Sequence, residues 1–184
     1  VWSVPRPVSN SWPSPIVINH EGTWQIITCA DPFVIAYNPE DGSEIWRCKC
    51  LRMDVGPSPT YADGILYVAN EYPQMTAIRP DGEGDITDND EYVLWIAEDS
   101  LPDTCSPLAT GKHVYVLASY GYLTCYGAKT GEFLWEWESD DSFTSSPTLV
   151  DDLIYVFGLE SCAVIKPGDE GAETVGIGSL GEEC

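Results

Sequence analysis

Short hydrophobic segments alternate with turn residues along most of the chain. Three of these segments combine β-branched and aromatic residues: 65–68, 113–117 and 153–157. A glycine or acidic pair comes directly before each one: Asp63-Gly64, Gly111-Lys112 and Asp151-Asp152. No stretch keeps an apolar period of 3.6 residues. The pattern therefore predicts short β-strands joined by tight turns and little helix.

Three landmarks recur in one register. The dipeptide Ser-Pro starts at Ser14, Ser58, Ser106 and Ser146. A tryptophan precedes each Ser-Pro by 11 or 12 residues: Trp2, Trp46, Trp95 and Trp135. A small or β-branched residue followed by a turn forms the third landmark, at Ala36, Ala77, Cys125 and Val164. A shared register predicts structural repeats of roughly 40–45 residues, and four short strands per repeat are typical of a β-propeller blade.

The landmarks divide the chain into an all-β propeller of four-stranded antiparallel blades, with four repeats present. Residues 1–13 are predicted to hold the last strand of a preceding blade, Val1 to Val4, and its connection. The blades are then predicted at 14–57, 58–105, 106–145 and 146–184.

The repeat resembles a known family. The segment from Cys125 to Trp135, Cys-Tyr-Gly-Ala-Lys-Thr-Gly-Glu-Phe-Leu-Trp, is similar to the PQQ-like β-propeller repeat. The resemblance implies tryptophan-docking motifs, in which a blade's tryptophan packs on the glycine of a turn in the neighbouring blade. The docking residues implied are Trp2, Trp46, Trp95, Trp135, Gly42 and Gly131.

Both ends of the chain interrupt the repeat register. A tryptophan strand precedes the first Ser-Pro, and the chain stops near the place where another Ser-Pro is due. We expect the four blades to be part of a larger ring of seven or eight. Exposed blade edges would then favour self-association with a second copy.

The second and fourth repeats depart from the pattern. Ala77 and Trp95 are 18 residues apart, whereas Ala36 and Trp46 are 10 apart. The lengthened stretch, Asp81 to Asp90, contains five Asp and Glu, and we call it the acidic insertion. Asp81, Glu83 and Asp85 alternate as calcium ligands do at the start of an EF-hand loop, although Ile86 stands where that loop needs glycine. The alternative is a solvated hairpin insertion. The fourth repeat has no tryptophan, which predicts weaker docking there.

The net charge of the chain excludes several classes of binding partner. The chain of 184 residues has 8 Lys and Arg against 30 Asp and Glu, for a net charge of −22. So few basic residues exclude nucleic-acid binding and disfavour anionic membrane surfaces. No apolar run is long enough for membrane insertion.

Seven cysteines and two histidines are the remaining candidates for chemistry. Cys125 occupies the position of Ala36 and Ala77, so we expect a small buried residue, and Cys29 and Cys162 are expected to be similar. Cys48-Lys49-Cys50 lacks a partner pair for a thiolate metal site. The sequence leaves open a disulfide between Cys50 and Cys105. His20 and His113 have no motif partner.

Two functions follow from the resemblance. The first is a non-catalytic scaffold for protein interactions, exported to the periplasm or the cell exterior, with no cofactor. The lipoprotein scaffold of the outer-membrane β-barrel assembly machine is an example. The second is a fragment of a PQQ-dependent alcohol or sugar dehydrogenase, with PQQ and calcium. The adjacent cysteine pair of many such dehydrogenases is absent, and no catalytic residue is assigned, so the sequence favours the scaffold.

Overall fold

Four sheets contain every strand of the computed structural model, which describes residues 1–8, 11–179 and 181. All regular elements among these residues are β-strands, as the hydrophobic pattern predicts. No described helix is long and apolar enough to cross a membrane.

Each sheet is one blade built around four strands that follow one another along the chain. Blade one contains β1 (Ile16–His20), β2 (Thr23–Ala30), β3 (Phe33–Tyr37) and β4 (Glu44–Lys49). Blade two contains β5 (Thr60–Ala62), β6 (Ile65–Ala69), β7 (Met75–Ile78) and β9 (Val93–Ala97). Blade three contains β10 (Leu108–Ala109), β11 (His113–Leu117), β12 (Tyr122–Gly127) and β13 (Phe133–Glu138). Blade four contains β14 (Thr148–Val150), β15 (Leu153–Phe157), β16 (Ser161–Pro167) and β17 (Ala172–Ser179).

A β-bulge at one register position explains the small-residue landmark. The third and fourth strands of each blade shift register directly after Ala36, Ala77, Cys125 and Val164. Ala36, Ala77 and Cys125 lie directly opposite Trp46, Trp95 and Trp135, and Val164 lies opposite Gly176. A small side chain leaves room for the indole beside it.

The hydrophobic core lies between the blades. Three clusters of buried side chains each combine residues of two successive blades. In the last cluster, for example, Tyr115 and Leu117 of blade three pack with Ile154 and Val156 of blade four. Because full burial of one such side chain stabilises by about 1.5–3 kcal/mol, these interfaces hold the blades together.

Two segments differ from the sequence-based expectation. Val1 to Val4, predicted as a strand, belong to none of the described sheets. The acidic insertion is not merely a solvated hairpin. Its residues Gly84–Asp85 form β8, which pairs in parallel with β4 and adds a fifth strand to blade one.

Candidate functional site

Serine side chains link successive blades. The backbone N–H of Ser14 donates to Ser58 Oγ at 2.9 Å, that of Ser58 to Ser106 Oγ at 3.0 Å, and that of Ser106 to Ser146 Oγ at 2.9 Å. Each serine stands just before the first strand of its blade, so this serine ladder follows the starts of the four blades. The repeated Ser-Pro therefore has a structural role, because the hydroxyl satisfies a backbone donor of the preceding blade.

Tryptophans form a second set of links between blades. Three indole N–H groups donate to a turn carbonyl of the next blade: Trp2 to Pro39, Trp95 to Ala128 and Trp135 to Gly168, at 2.8–2.9 Å. The ring of Trp95 also covers Gly131, where an added Cβ would lie 2.6 Å from the indole. Trp2 covers Gly42 in the same way.

Trp46 makes its link through a relay. Its indole Nε1 donates to Gln25 Oε1 at 2.9 Å, and Gln25 Nε2 donates to the Pro80 carbonyl at 2.6 Å. Gln25 is almost completely buried. Sequence reasoning missed this residue. One available signal was the missing hydroxyl group at Ile27. This residue has the register position of Tyr67 and Tyr115 in the next two blades.

The acidic insertion docks on the outer edge of blade one. Ile86 is buried in the core cluster, and its N–H donates to the Arg47 carbonyl at 2.9 Å. The Lys49 N–H donates to Thr87 Oγ1 at 2.8 Å. Asp85 lies opposite Arg47. Hydrogen bonds from Thr87, and then the Arg47 charge, lower the pKa of Asp85.

The predicted calcium ligands do not form a cluster. Asp81 Oδ1 accepts a hydrogen bond from Arg79 Nε at 2.8 Å, and Asp85 accepts one from the Thr87 N–H. Within the described part of the chain, no group of three or more His, Cys, Asp or Glu side chains is placed to hold a metal ion.

The described cysteines are buried free thiols except Cys162, which is half-buried and so departs from the expectation. Cys50 and Cys105 are both free thiols and lie in different core clusters, so they do not form a disulfide; Cys184 lies outside the described residues. Burial raises the pKa of Cys29 and of Cys125 to about 12. His20 Nδ1 lies 3.0 Å from Tyr61 OH, and His113 Nδ1 lies 3.2 Å from Tyr115 OH.

Within the described part of the chain, one face of blade four is left partly exposed. Tyr155 and Phe157 of blade four have the same register positions as Tyr115 and Leu117 of blade three. Blade four packs over Tyr115 and Leu117 and buries them. Leu117 is 0 % exposed, whereas Phe157 is 42 % exposed, and Val150 on the same face is 50 % exposed. An apolar face of this kind is suited to packing against a further blade or against another protein. We call this the open face of blade four.

A crevice of about 810 Å³ separates the outer parts of blades three and four. Its apolar lining is Trp137, Leu159 and Ile177, and its acidic lining is Glu138, Asp140, Asp141 and Glu160. Trp137 Nε1 donates to Thr174 Oγ1 across it at 2.9 Å. No lysine or arginine lines this crevice, which we call the acidic crevice.

Asp141 holds one wall of the acidic crevice in place. Its carboxylate accepts hydrogen bonds from Ser161 Oγ at 2.7 Å, from the Ser161 N–H at 3.0 Å and from the Leu159 N–H at 3.2 Å. Burial raises the pKa of Asp141, but these and neighbouring hydrogen bonds outweigh it and lower the pKa below its ordinary value. A blade-three residue thus fixes the β15–β16 turn of blade four.

Solved structures show the same fold. BamB from Moraxella catarrhalis matches with a TM-score of 0.63 at 14 % identity, over 88 % of this chain and 51 % of that chain. A quinohemoprotein alcohol dehydrogenase from Comamonas testosteroni matches with a TM-score of 0.71 at 15 % identity, over 96 % of this chain and 36 % of that one. One from Pseudomonas putida HK5 matches with a TM-score of 0.69 at 15 % identity, over 99 % and 36 %. The chain thus spans about a third to a half of the proteins that it matches.

Sequence comparison identifies the family. The family model described as outer membrane protein assembly factor BamB matches residues 30–87 and 84–169. No curated protein matches the sequence significantly. The four-stranded blades have the fold of the solved propellers. The chain therefore belongs to the PQQ-like β-propeller repeat family.

Proposed function

We propose that this propeller is a non-catalytic scaffold that acts by binding protein surfaces. The observation that carries the proposal is the match of residues 30–87 and 84–169 to the family model described as an outer membrane protein assembly factor. The open face of blade four is a second, structural observation. Val150 and Phe157 are exposed there, although the same face of blade three is buried. An apolar face beside a long outer strand favours association with another protein or a second copy.

The side chains that commonly carry chemistry support the same conclusion. His20 and His113 both contact tyrosine hydroxyls, and the thiols of Cys29, Cys105 and Cys125 have raised pKa values through burial. These groups stabilise blades and their interfaces. In addition, the matching family model carries the description of an assembly factor.

We further propose that the protein works outside the cytoplasm, in the periplasm or the cell exterior. The matching family model describes an outer-membrane assembly factor. A surface with a net charge of −22 favours solubility and basic partners.

Calorimetric titration of PQQ, with and without Ca²⁺, tests the scaffold against the dehydrogenase. We expect no saturable heat in either titration, and no dye-linked oxidation of alcohols or sugars. Stoichiometric PQQ binding that depends on Ca²⁺ would overturn the scaffold and assign the chain to quinone-dependent oxidation. A dehydrogenase of the same family, freed of its PQQ before the titration, serves as the positive control.

A further inference from the structure

We infer that the outer edge of β13, together with the acidic crevice, binds an extended basic segment of a protein partner. This inference rests on the proposed scaffold function and specifies the chemistry of its partner. The evidence is a docked segment within the chain itself, at the equivalent edge of blade one.

Residues 84–87 show how an extended segment binds to a blade edge. Gly84 and Asp85 pair with Trp46 and Arg47 of β4 in parallel. Ile86 then enters the core, and Thr87 accepts a hydrogen bond from the Lys49 N–H. The blade edge thus supplies backbone pairing, an apolar site and a polar anchor within four residues.

β13 offers the same edge without an occupant among the described residues. The pairs Ala36–Trp46 and Cys125–Trp135 set the register, so Glu136 corresponds to Arg47 and Glu138 to Lys49. In the described sheet, β13 pairs only with β12. An unpaired strand edge binds an added strand through its free backbone donors and acceptors.

The charges of the two edges are opposite. In blade one, Arg47 lies opposite Asp85 of the acidic insertion, although its guanidinium also pairs with Glu44. The Lys49 N–H donates to Thr87 of the insertion. In blade three, Glu136 and Glu138 replace Arg47 and Lys49, and Asp140 and Glu160 line the adjacent crevice. Electrostatic complementarity therefore favours a segment with lysine or arginine at the position of Asp85.

The crevice also supplies the apolar site. Trp137 and Ile177 line it from blades three and four, and Ile177 is 73 % exposed. An apolar residue of the partner at the position of Ile86 would cover these side chains. The expected ligand is therefore an extended segment in which an apolar residue follows a basic one.

Labelled peptides test this inference. One ten-residue peptide carries Gly-Lys-Ile-Thr at its centre with lysines on both sides. Matched peptides carry Gly-Asp-Ile-Thr between glutamates, or Gly-Lys-Ser-Thr between lysines. We expect fluorescence anisotropy to show saturable binding of the first peptide, at least tenfold weaker binding of the serine peptide, and no binding of the acidic one.

Two double variants change the net charge by the same amount. Together they distinguish the effect of the acidic crevice on peptide binding from the effect of the overall charge. Glu138→Lys with Glu160→Lys is expected to weaken binding at least tenfold. Glu40→Lys with Glu71→Lys, at exposed positions in blades one and two, is expected to weaken it less than twofold. Hydrogen exchange of the peptide complex is expected to show added protection in residues 136–138.

Three results would overturn the inference: no saturable binding, equal loss in both double variants, or binding without added protection of β13. The peptide experiment tests binding at the edge of β13 and the acidic crevice, whereas the PQQ titration tests whether the chain is a scaffold or part of a dehydrogenase. Failed peptide binding together with absent PQQ binding would remove this inference alone. Ca²⁺-dependent PQQ binding would remove the scaffold itself.

Discussion

Gly131 and Gly84 have the same backbone angle but different surroundings. Both have φ at +69°, where other residues are strained. An added Cβ at Gly84 meets nothing within 4 Å, whereas one at Gly131 lies 2.6 Å from the Trp95 ring. At Gly84, therefore, only the positive φ favours glycine, whereas at Gly131 the contact with the Trp95 indole also excludes a larger residue.

Replacing each of these glycines with alanine measures the docking of Trp95. We expect Gly84→Ala to lower the free energy of unfolding by about 1 kcal/mol, the cost of the backbone angle. Gly131→Ala is expected to lower it by about 3 kcal/mol, because the indole must also move. Urea unfolding followed by tryptophan fluorescence gives both values, and equal losses would contradict docking at Gly131.

Asp141 gives the molecule a pH dependence that one substitution tests. Its lowered pKa means that the folded state holds the carboxylate charged. The carboxylate thus stabilises the fold above the unfolded pKa of about 3.9, and this contribution is lost as the pH falls through the lower folded pKa.

Asp141→Asn is therefore expected to lower stability at pH 7 and to flatten the decline in stability between about pH 5 and pH 2. Urea midpoints measured across this range check the prediction. Asp140→Asn, at the exposed neighbouring position, is the matched control and should leave the decline unchanged. Identical profiles for the wild type and Asp141→Asn would contradict the role assigned to Asp141.

At the scale of elements, the acidic insertion contains a strand, β8, that the sequence did not predict. The spacing from Ala77 to Trp95 located the insertion, and its acidic composition suggested solvation. β8 instead pairs with a strand of the preceding blade, and such nonlocal parallel pairing leaves no periodic signal in so short a segment. Ile86, an apolar residue among acidic ones, was the one available sign.

Truncating Ile86 tests whether the insertion belongs to the core. Ile86→Ala is expected to lower the free energy of unfolding by about 2–4 kcal/mol, since the side chain is 1 % exposed. Ile96→Ala removes the same atoms at a position that is 48 % exposed, and should cost less than about 1 kcal/mol. Equal small losses, measured by chemical unfolding, would show that the insertion does not contribute to the core.

At the scale of the whole molecule, the repeat register predicted the fold because each landmark has a structural cause. Ser-Pro marks the serine ladder, and the small residue lies opposite the tryptophan. The predicted blade boundaries remain a prediction. Three features depend on how neighbouring blades pack: the relay through Gln25, the acidic crevice and the hydrogen bonds of Asp141. The local pattern of hydrophobic and polar residues in the sequence does not encode this packing.

The solution mass of the chain tests most directly whether the open face of blade four is an association surface. Light scattering across a concentration series is expected to give a mass above the monomer value of 20.2 kDa. Phe157→Asp should return the mass to that of the monomer, because a charge on the apolar face opposes its burial. Leu94→Asp, on an exposed position of blade two, should leave the mass unchanged. A monomer at every concentration, or an assembly that Phe157→Asp does not disturb, would contradict self-association through this face.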